Sequence, residues 1–244
     1  MKHLIVNDLH GRQEWMDRIL DRSEGIESVI LSGDLVDMFN ESESEADKVQ
    51  RVYDFCEAME AGQQRLVFTS GNHDLDDLIL EDRPRPPLSE TEWMRFPVQK
   101  KMRFVSGYQS ITETADLIIT SLRWIPWADE NFDFGPNEEL LARSSSLARK
   151  KGIKWAVVYH EPPAEVPNLS ALIAAHAPDY YICGHTHMHP IVSKTPLSRL
   201  NKTVVINCGQ NLNEAIPVSG ILDPSKDCLI WNPGRSISFE NISA

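Results

Sequence analysis

Short apolar runs rich in β-branched and aromatic residues punctuate the chain: Leu4-Ile5-Val6, Ser28-Val29-Ile30-Leu31, Leu66-Val67-Phe68, Leu117-Ile118-Ile119, Trp155-Ala156-Val157-Val158 and Tyr180-Tyr181-Ile182. Such runs predict strands buried on both faces. Stretches of helical period lie between several of them. One covers residues 12–22. A second covers residues 46–61, placing Val49, Val52, Cys56 and Met59 on one face and stopping at Gly62. A third follows Pro136-Asn137 and ends at Gly152, and a fourth follows Asn168, a residue type favoured as an N-cap. Strands alternating with helices predict an α/β core. The last part of the chain reads differently. Thr203-Val204-Val205-Ile206, Val218 to Leu222 and Cys228-Leu229-Ile230-Trp231 are separated by turn-rich stretches such as 223–227, a pattern that predicts antiparallel strands joined by turns.

Composition narrows the class. A chain of 244 residues, 41% hydrophobic and 25% charged, is expected to fold as one domain over residues 1–244 without disulfide staples. No window approaches the ~20 apolar residues of a membrane span, and the N-terminus lacks the pattern of a signal peptide. The expected location is therefore the cytoplasm, with no membrane partner. Cys56, Cys183, Cys208 and Cys228 form no C-x-x-C pair, which excludes a thiolate metal site of that kind and leaves small buried hydrophobes. A net charge of −12 disfavours tight nonspecific binding to nucleic acid but leaves room for a small phosphorylated substrate, because bound cations invert the local field. The acidic run from Asn40 to Glu45 reads as a solvated loop leading into the second helix. Nothing in the sequence fixes the oligomeric state.

The candidate chemistry lies where the strand-like runs end. Five polar signatures follow them: Asp8-Leu9-His10-Gly11, Gly33-Asp34-Leu35-Val36-Asp37, Gly71-Asn72-His73-Asp74, His160-Glu161-Pro162-Pro163 and Gly184-His185-Thr186-His187. In open α/β sheets ligands bind beyond the carboxyl ends of the strands, so these five blocks are expected to converge. They deliver carboxylate, imidazole and amide groups and no thiolate, the donor set that hard and borderline divalent cations accept.

In this order the blocks resemble the calcineurin-like metallophosphoesterase superfamily, whose pattern runs D-x-H, G-D-x-x-D, G-N-H-D/E, H and G-H-x-H. The resemblance spans residues 8–187 and implies a fold of two face-to-face mixed β-sheets flanked by helices, a four-layer α/β/β/α sandwich. It also implies two divalent metal ions, of Mn, Fe, Zn, Ni or Co, whose identity the ligands do not specify. Asp8, His10, Asp34 and His187 would hold one ion, and Asp34, Asn72, His160 and His185 the other, with Asp34 bridging. The implied reaction is hydrolysis of a phosphate ester by a hydroxide that the two metals activate. His73 would act over the phosphate as a stabiliser or proton donor, and Asp74 would orient its ring. Asp37 is expected either behind the metal ligands or as a helix-capping carboxylate. His3, His176 and His189 lie outside the pattern and read as structural or surface residues.

Within the superfamily the protein-phosphatase branch carries arginines that grip the phosphoryl group, whereas here Met38-Phe39 follow Asp37 and Ser70 precedes Gly71. His73 separates the chain from the lipid-A-pathway pyrophosphatases, which resemble it in length. The remaining likeness is to small bacterial phosphodiesterases, with a phosphomonoesterase, a nuclease of the same fold or a non-catalytic scaffold as alternatives. The segment 123–136 contains Arg123, Trp124 and Trp127, which could pair with a phosphate or stack on a base of a nucleotide-like substrate, or else form an apolar loop over the sheet edge.

Overall fold

The computed structural model describes residues 1–37, 40, 42–74, 94–124, 135–232 and 235–239, and gathers the apolar runs into two mixed sheets. In the first, β1 (His3–Val6), β2 (Ser28–Leu31), β3 (Leu66–Phe68) and β4 (Val105–Ser106) run parallel. The second contains β5 (Ser110–Glu113), β6 (Leu117–Ser121), β7 (Lys154–Val158), β8 (Tyr180–Cys183), β9 (Leu197–Leu200) and β10 (Thr203–Asn207), in the order β5-β6-β7-β8-β10-β9. An antiparallel trio, β11 (Ser219–Asp223), β12 (Cys228–Trp231) and β13 (Arg235–Ser238), completes the first sheet on the far side of β1.

Alternation along each strand explains the layering. Ile5, Ile30 and Val67 share one buried cluster with Ala156, Val158, Ile182 and Ile206 of the other sheet, so the two sheets pack face to face. Their neighbours Leu4, Val6, Val29, Leu31 and Phe68 turn outward against α1 (Gln13–Arg22) and α2 (Glu45–Ala61), meeting Trp15, Met16, Ile19, Val52, Phe55, Cys56 and Met59. On the opposite surface Trp155, Val157, Tyr181 and Val205 meet α3 (Gly135–Lys151) and α4 (Pro167–His176). This is the α/β/β/α sandwich that the family resemblance implied. Each such side chain contributes roughly 1.5–3 kcal/mol on burial, and a one-residue slip would exchange the two faces of a strand, so the register is firmly specified.

Two sequence expectations need correction. β10 was grouped with the antiparallel C-terminal strands, yet it pairs in parallel with β8 and in antiparallel with β9, in the other sheet. Val204 and Ile206 fit the cluster between the sheets, and that burial decides its place. Asn168 does not cap α4; Val166 occupies the cap and Pro167 supplies the first helical residue, its fixed φ already helical. By contrast, Ser44 caps α2 through its Oγ, which accepts from the Asp47 N–H at 3.1 Å. Among the described residues no helix is long and apolar enough to cross a membrane.

Candidate metal centre

The loops that follow β1, β2, β3, β7 and β8 meet at one edge of the sandwich and are stitched to one another through the functional residues themselves. The His10 N–H donates to the Asp34 carbonyl (2.8 Å), and the Gly184 N–H to the His160 carbonyl (2.7 Å). The His73 N–H donates to Asp34 Oδ1 and the His185 N–H to Asp8 Oδ1, both at 2.9 Å. Packing this close requires glycine at two points. A Cβ on Gly71 would collide with the Asp34 carboxylate, and one on Gly184 would lie 2.8 Å from Asp8 Oδ2.

The backbone is bent to serve the side chains. Asp8, His10, Asp34, His185 and His187 all have positive φ, between 42° and 69°. Each such non-glycine residue costs of order 1–3 kcal/mol and persists only where its surroundings over-determine it. That five of the seven sequence-predicted ligands share this strain marks the edge as built for a purpose other than stability.

The donor atoms fall into two adjoining groups. In the first, one atom each from Asp8, His10, Asp34 and His187 lie within 4.8 Å of one another, and the Nε2 atoms of His10 and His187 are 3.1 Å apart. In the second, His160 Nε2 is 2.8 Å from Asn72 Oδ1 and 3.3 Å from Asp34 Oδ2. His185 Nδ1 lies 3.1 Å from the same Asn72 oxygen and 3.3 Å from His160 Nε2. Asp34 belongs to both groups. Asp8 and Asp34 are fully buried, and each has one oxygen bound by a backbone N–H and the other, Oδ2, without a hydrogen-bond partner. A buried acceptor left unsatisfied costs about 1–3 kcal/mol, a penalty that a divalent cation removes. Oxygen and imidazole donors without sulfur suit such an ion, so the residues fit the group that the family resemblance implies.

Electrostatics follows from burial. Without a cation, burial together with the negative charge of Asp34 pushes Asp8 up to about 7, against the pull of His160. Burial also disfavours a charged His160, but Asp34 and Asp8 outweigh it and raise the imidazole to about 10. For Asp34, burial pushes the carboxyl up, but the protonated His160 beside it outweighs burial and holds the carboxyl below the usual range. Burial lowers His10 and His185 to about 4 and also depresses His187, so these three rings are neutral near pH 7 with lone pairs to offer.

Outer contacts fix the rings. His160 Nδ1 lies 2.8 Å from the Ser32 carbonyl, which sets the tautomer and turns Nε2 toward Asp34 and Asn72. Glu165 Oε2 stands 3.7 Å from His185 Nε2, on the side opposite its ligand-facing nitrogen. Asn207 at the end of β10 donates through Nδ2 to the Gly184 carbonyl (2.8 Å) and to Thr186 Oγ1 (2.9 Å), bracing the last loop. The sequence held no signal for Ser32 or Glu165, and Asn207 was noticeable only as a polar residue ending a strand.

The role expected of Asp74 is corrected. Its carboxylate is buried and accepts from the Val36 N–H (2.9 Å) and the Gly71 N–H (2.8 Å), locking the second loop to the third rather than touching the His73 ring. The ring instead meets Asp37, whose Oδ1 lies 2.8 Å from His73 Nδ1. Of the substrate candidates, Trp127 lies outside the described residues. Trp124 is 3% exposed and packs in the cluster between the second sheet and α3, so its ring is core rather than a platform open to a base. Arg123 is partly buried at the head of that segment, and its carbonyl accepts from Asn137 Nδ2 at 3.4 Å. His3 is buried between Ser28 Oγ (2.8 Å) and Asp116 Oδ1 (3.1 Å), far in the fold from the strand ends. His176 closes the last turn of α4, and the His189 N–H donates to the Thr186 carbonyl.

The family model of the calcineurin-like phosphoesterases matches residues 1–189, a span that contains every donor described above. Among curated protein sequences none matches the chain. A crystal structure from Thermus thermophilus covers 97% of this chain and 98% of its own, with a TM-score of 0.63 at 14% identity, and shares the fold. The E. coli phosphoesterase Yfce (14% identity, 98% and 97% covered, TM-score 0.43) and a metallophosphoesterase from Sphaerobacter thermophilus (12%, 92% and 84%, 0.39) are also similar.

Proposed function

We propose, from the premise that this chain belongs to the calcineurin-like phosphoesterase family and is a metal-dependent hydrolase of phosphoric esters, that it acts on phosphodiesters at a centre for two divalent cations. The observation that carries this reading is the pair of adjoining donor groups that share the buried Asp34. Asp8, His10, Asp34 and His187 would hold one cation, and Asp34, Asn72, His160 and His185 the other. When bound, such cations supply Lewis acidity that makes water a nucleophile near neutral pH and positive charge for the phosphoryl oxygens.

The chain's own residues do the rest. Asp37 Oδ1 holds Nδ1 of His73 and so orients the ring. A proton carried by this ring would be positioned for the oxygen of the departing alcohol. Edge-on contact with His10, ring centroids 4.6 Å apart, limits how far the His73 ring can rotate.

Support for a diester is twofold. The blocks around Asp37 and Asn72 lack the arginines that grip a dianionic monoester. A cavity of about 330 Å³ also opens beside His10 and Asp37, giving a second substituent on phosphorus somewhere to lie. The test is hydrolysis of bis(4-nitrophenyl) phosphate and 4-nitrophenyl phosphate by metal-loaded and chelator-treated protein. The diester is expected to win by about tenfold or more in kcat/KM, with both activities lost to chelation. Faster turnover of the monoester would overturn the diester reading.

A further inference from the structure

The cavity beside the metal centre is bounded by the start of α1 and by α2, and shares His10 and Asp37 with the site itself. Its charged groups are almost all matched. Arg12 pairs with Glu14 at 2.6 Å, Arg51 with Glu43 at 2.7 Å, and Asp37 with His73 at 2.8 Å. Lys48 is the exception. It is 3% exposed, its ammonium donates to the Asp37 carbonyl at 2.8 Å and to the Asn40 carbonyl, and among the described residues no carboxylate lies within ion-pair reach of it. An ammonium has three donors and two are used. A buried cation with a spare donor and no counter-ion is costly unless a ligand completes it.

The guanidiniums add to this. Arg51 is only partly committed, to Glu43 and to the Gly11 carbonyl, and Arg12 to Glu14 and to the Leu212 carbonyl. Both keep N–H groups for an oxyanion, to which a guanidinium binds in bidentate fashion. Glu14 already occupies the first turn of α1, so the anion belongs on the Lys48 side of the cavity rather than on the helix end.

We infer that this cavity takes a second anionic group of the substrate, a phosphoryl or carboxylate carried on the ester one substituent away from the scissile phosphorus, with Lys48 as its counter-ion and Arg51 and Arg12 at its rim. This rests on the phosphodiesterase reading above. It deepens that reading by naming the kind of diester.

Three nitrophenyl phosphodiesters whose second aryl ring bears methyl, carboxylate or phosphonate at the same position test it with metal-loaded protein. The anionic esters are expected to exceed the methyl ester in kcat/KM by about tenfold or more at low salt, an advantage that shrinks as salt rises. The carboxylate and phosphonate arms tell which anion is preferred. Lys48→Met is expected to reduce the anionic-to-methyl ratio to near one. Arg51→Gln, which leaves the loop held by Lys48 intact, is expected to reduce it by a smaller factor. Equal rates on all three esters, or a ratio unchanged in both variants, would overturn the anion site while leaving phosphodiester hydrolysis in place. No metal-dependent hydrolysis of any ester would instead refute the underlying reading.

Discussion

The Nε2 atoms of His10 and His187 lie 3.1 Å apart although 177 positions separate the residues in the chain. Two imidazoles meet at that distance only as donor and acceptor or as neighbours around a common partner. Burial works against protonating either ring, more strongly for His10. With the carboxylates of Asp8 and Asp34 directed to the same space, the pair is best satisfied by a cation.

His73 and Asp37 should behave as a unit apart from the metals. His73→Asn is expected to keep the metal content and to lower kcat by roughly 10²–10⁴-fold, the range of a lost general acid. Asp37→Asn should lower kcat less, because the ring remains while its orientation loses part of its support. Elemental analysis beside kinetics checks both; metal-free His73→Asn protein would make His73 a ligand.

Asp74 should prove structural. Asp74→Ala strands the Val36 and Gly71 N–H groups in a buried place, at a cost of about 1–3 kcal/mol for each unsatisfied donor. A clearly lowered denaturation midpoint is expected. An unchanged midpoint with a large loss of kcat would restore the direct role first expected from the sequence.

Trp124→Ala should act through stability. A fully packed aromatic side chain replaced by alanine costs about 3–5 kcal/mol. Chemical denaturation reads it, and a large drop in kcat/KM on nucleotide esters at unchanged stability would return Trp124 to the substrate.

How much of this was legible in sequence follows physical lines. The strands were readable because Ile5, Ile30 and Val67 are flanked by equally apolar neighbours, as burial on both faces demands. The candidate donors were readable because their chemistry is confined to short blocks at strand ends. What stayed hidden depends on contacts between distant segments. Whether Asp37 or Asp74 meets the His73 ring is settled by how the second loop lies on the third, and that Lys48 has no counter-ion among the described residues emerges only once Glu14 and Glu43 are seen paired elsewhere. β9 escaped notice because Leu197–Leu200 includes Ser198 and Arg199 and is buried at only one of its four positions.

Metal uptake should release protons. In the metal-free protein His160, raised to about 10, is protonated at pH 7, and Asp8, raised to about 7, is partly so. Ligation needs both deprotonated, so roughly one to two protons leave at pH 7, and affinity falls as pH falls. The release should vanish as pH rises past about 10. Calorimetry in buffers of different ionisation enthalpy counts the protons, and zero release at pH 7 would contradict the coupling.

The shared Asp34 is decisive, and counting bound metal during a titration of the apo-protein with Mn²⁺ tests it most directly. Two ions per chain are expected, with hydrolysis appearing as the sites fill and with both ions and activity lost in Asp34→Asn. One ion per chain with full activity, or two ions still bound by Asp34→Asn, would contradict a two-cation centre bridged by that carboxylate.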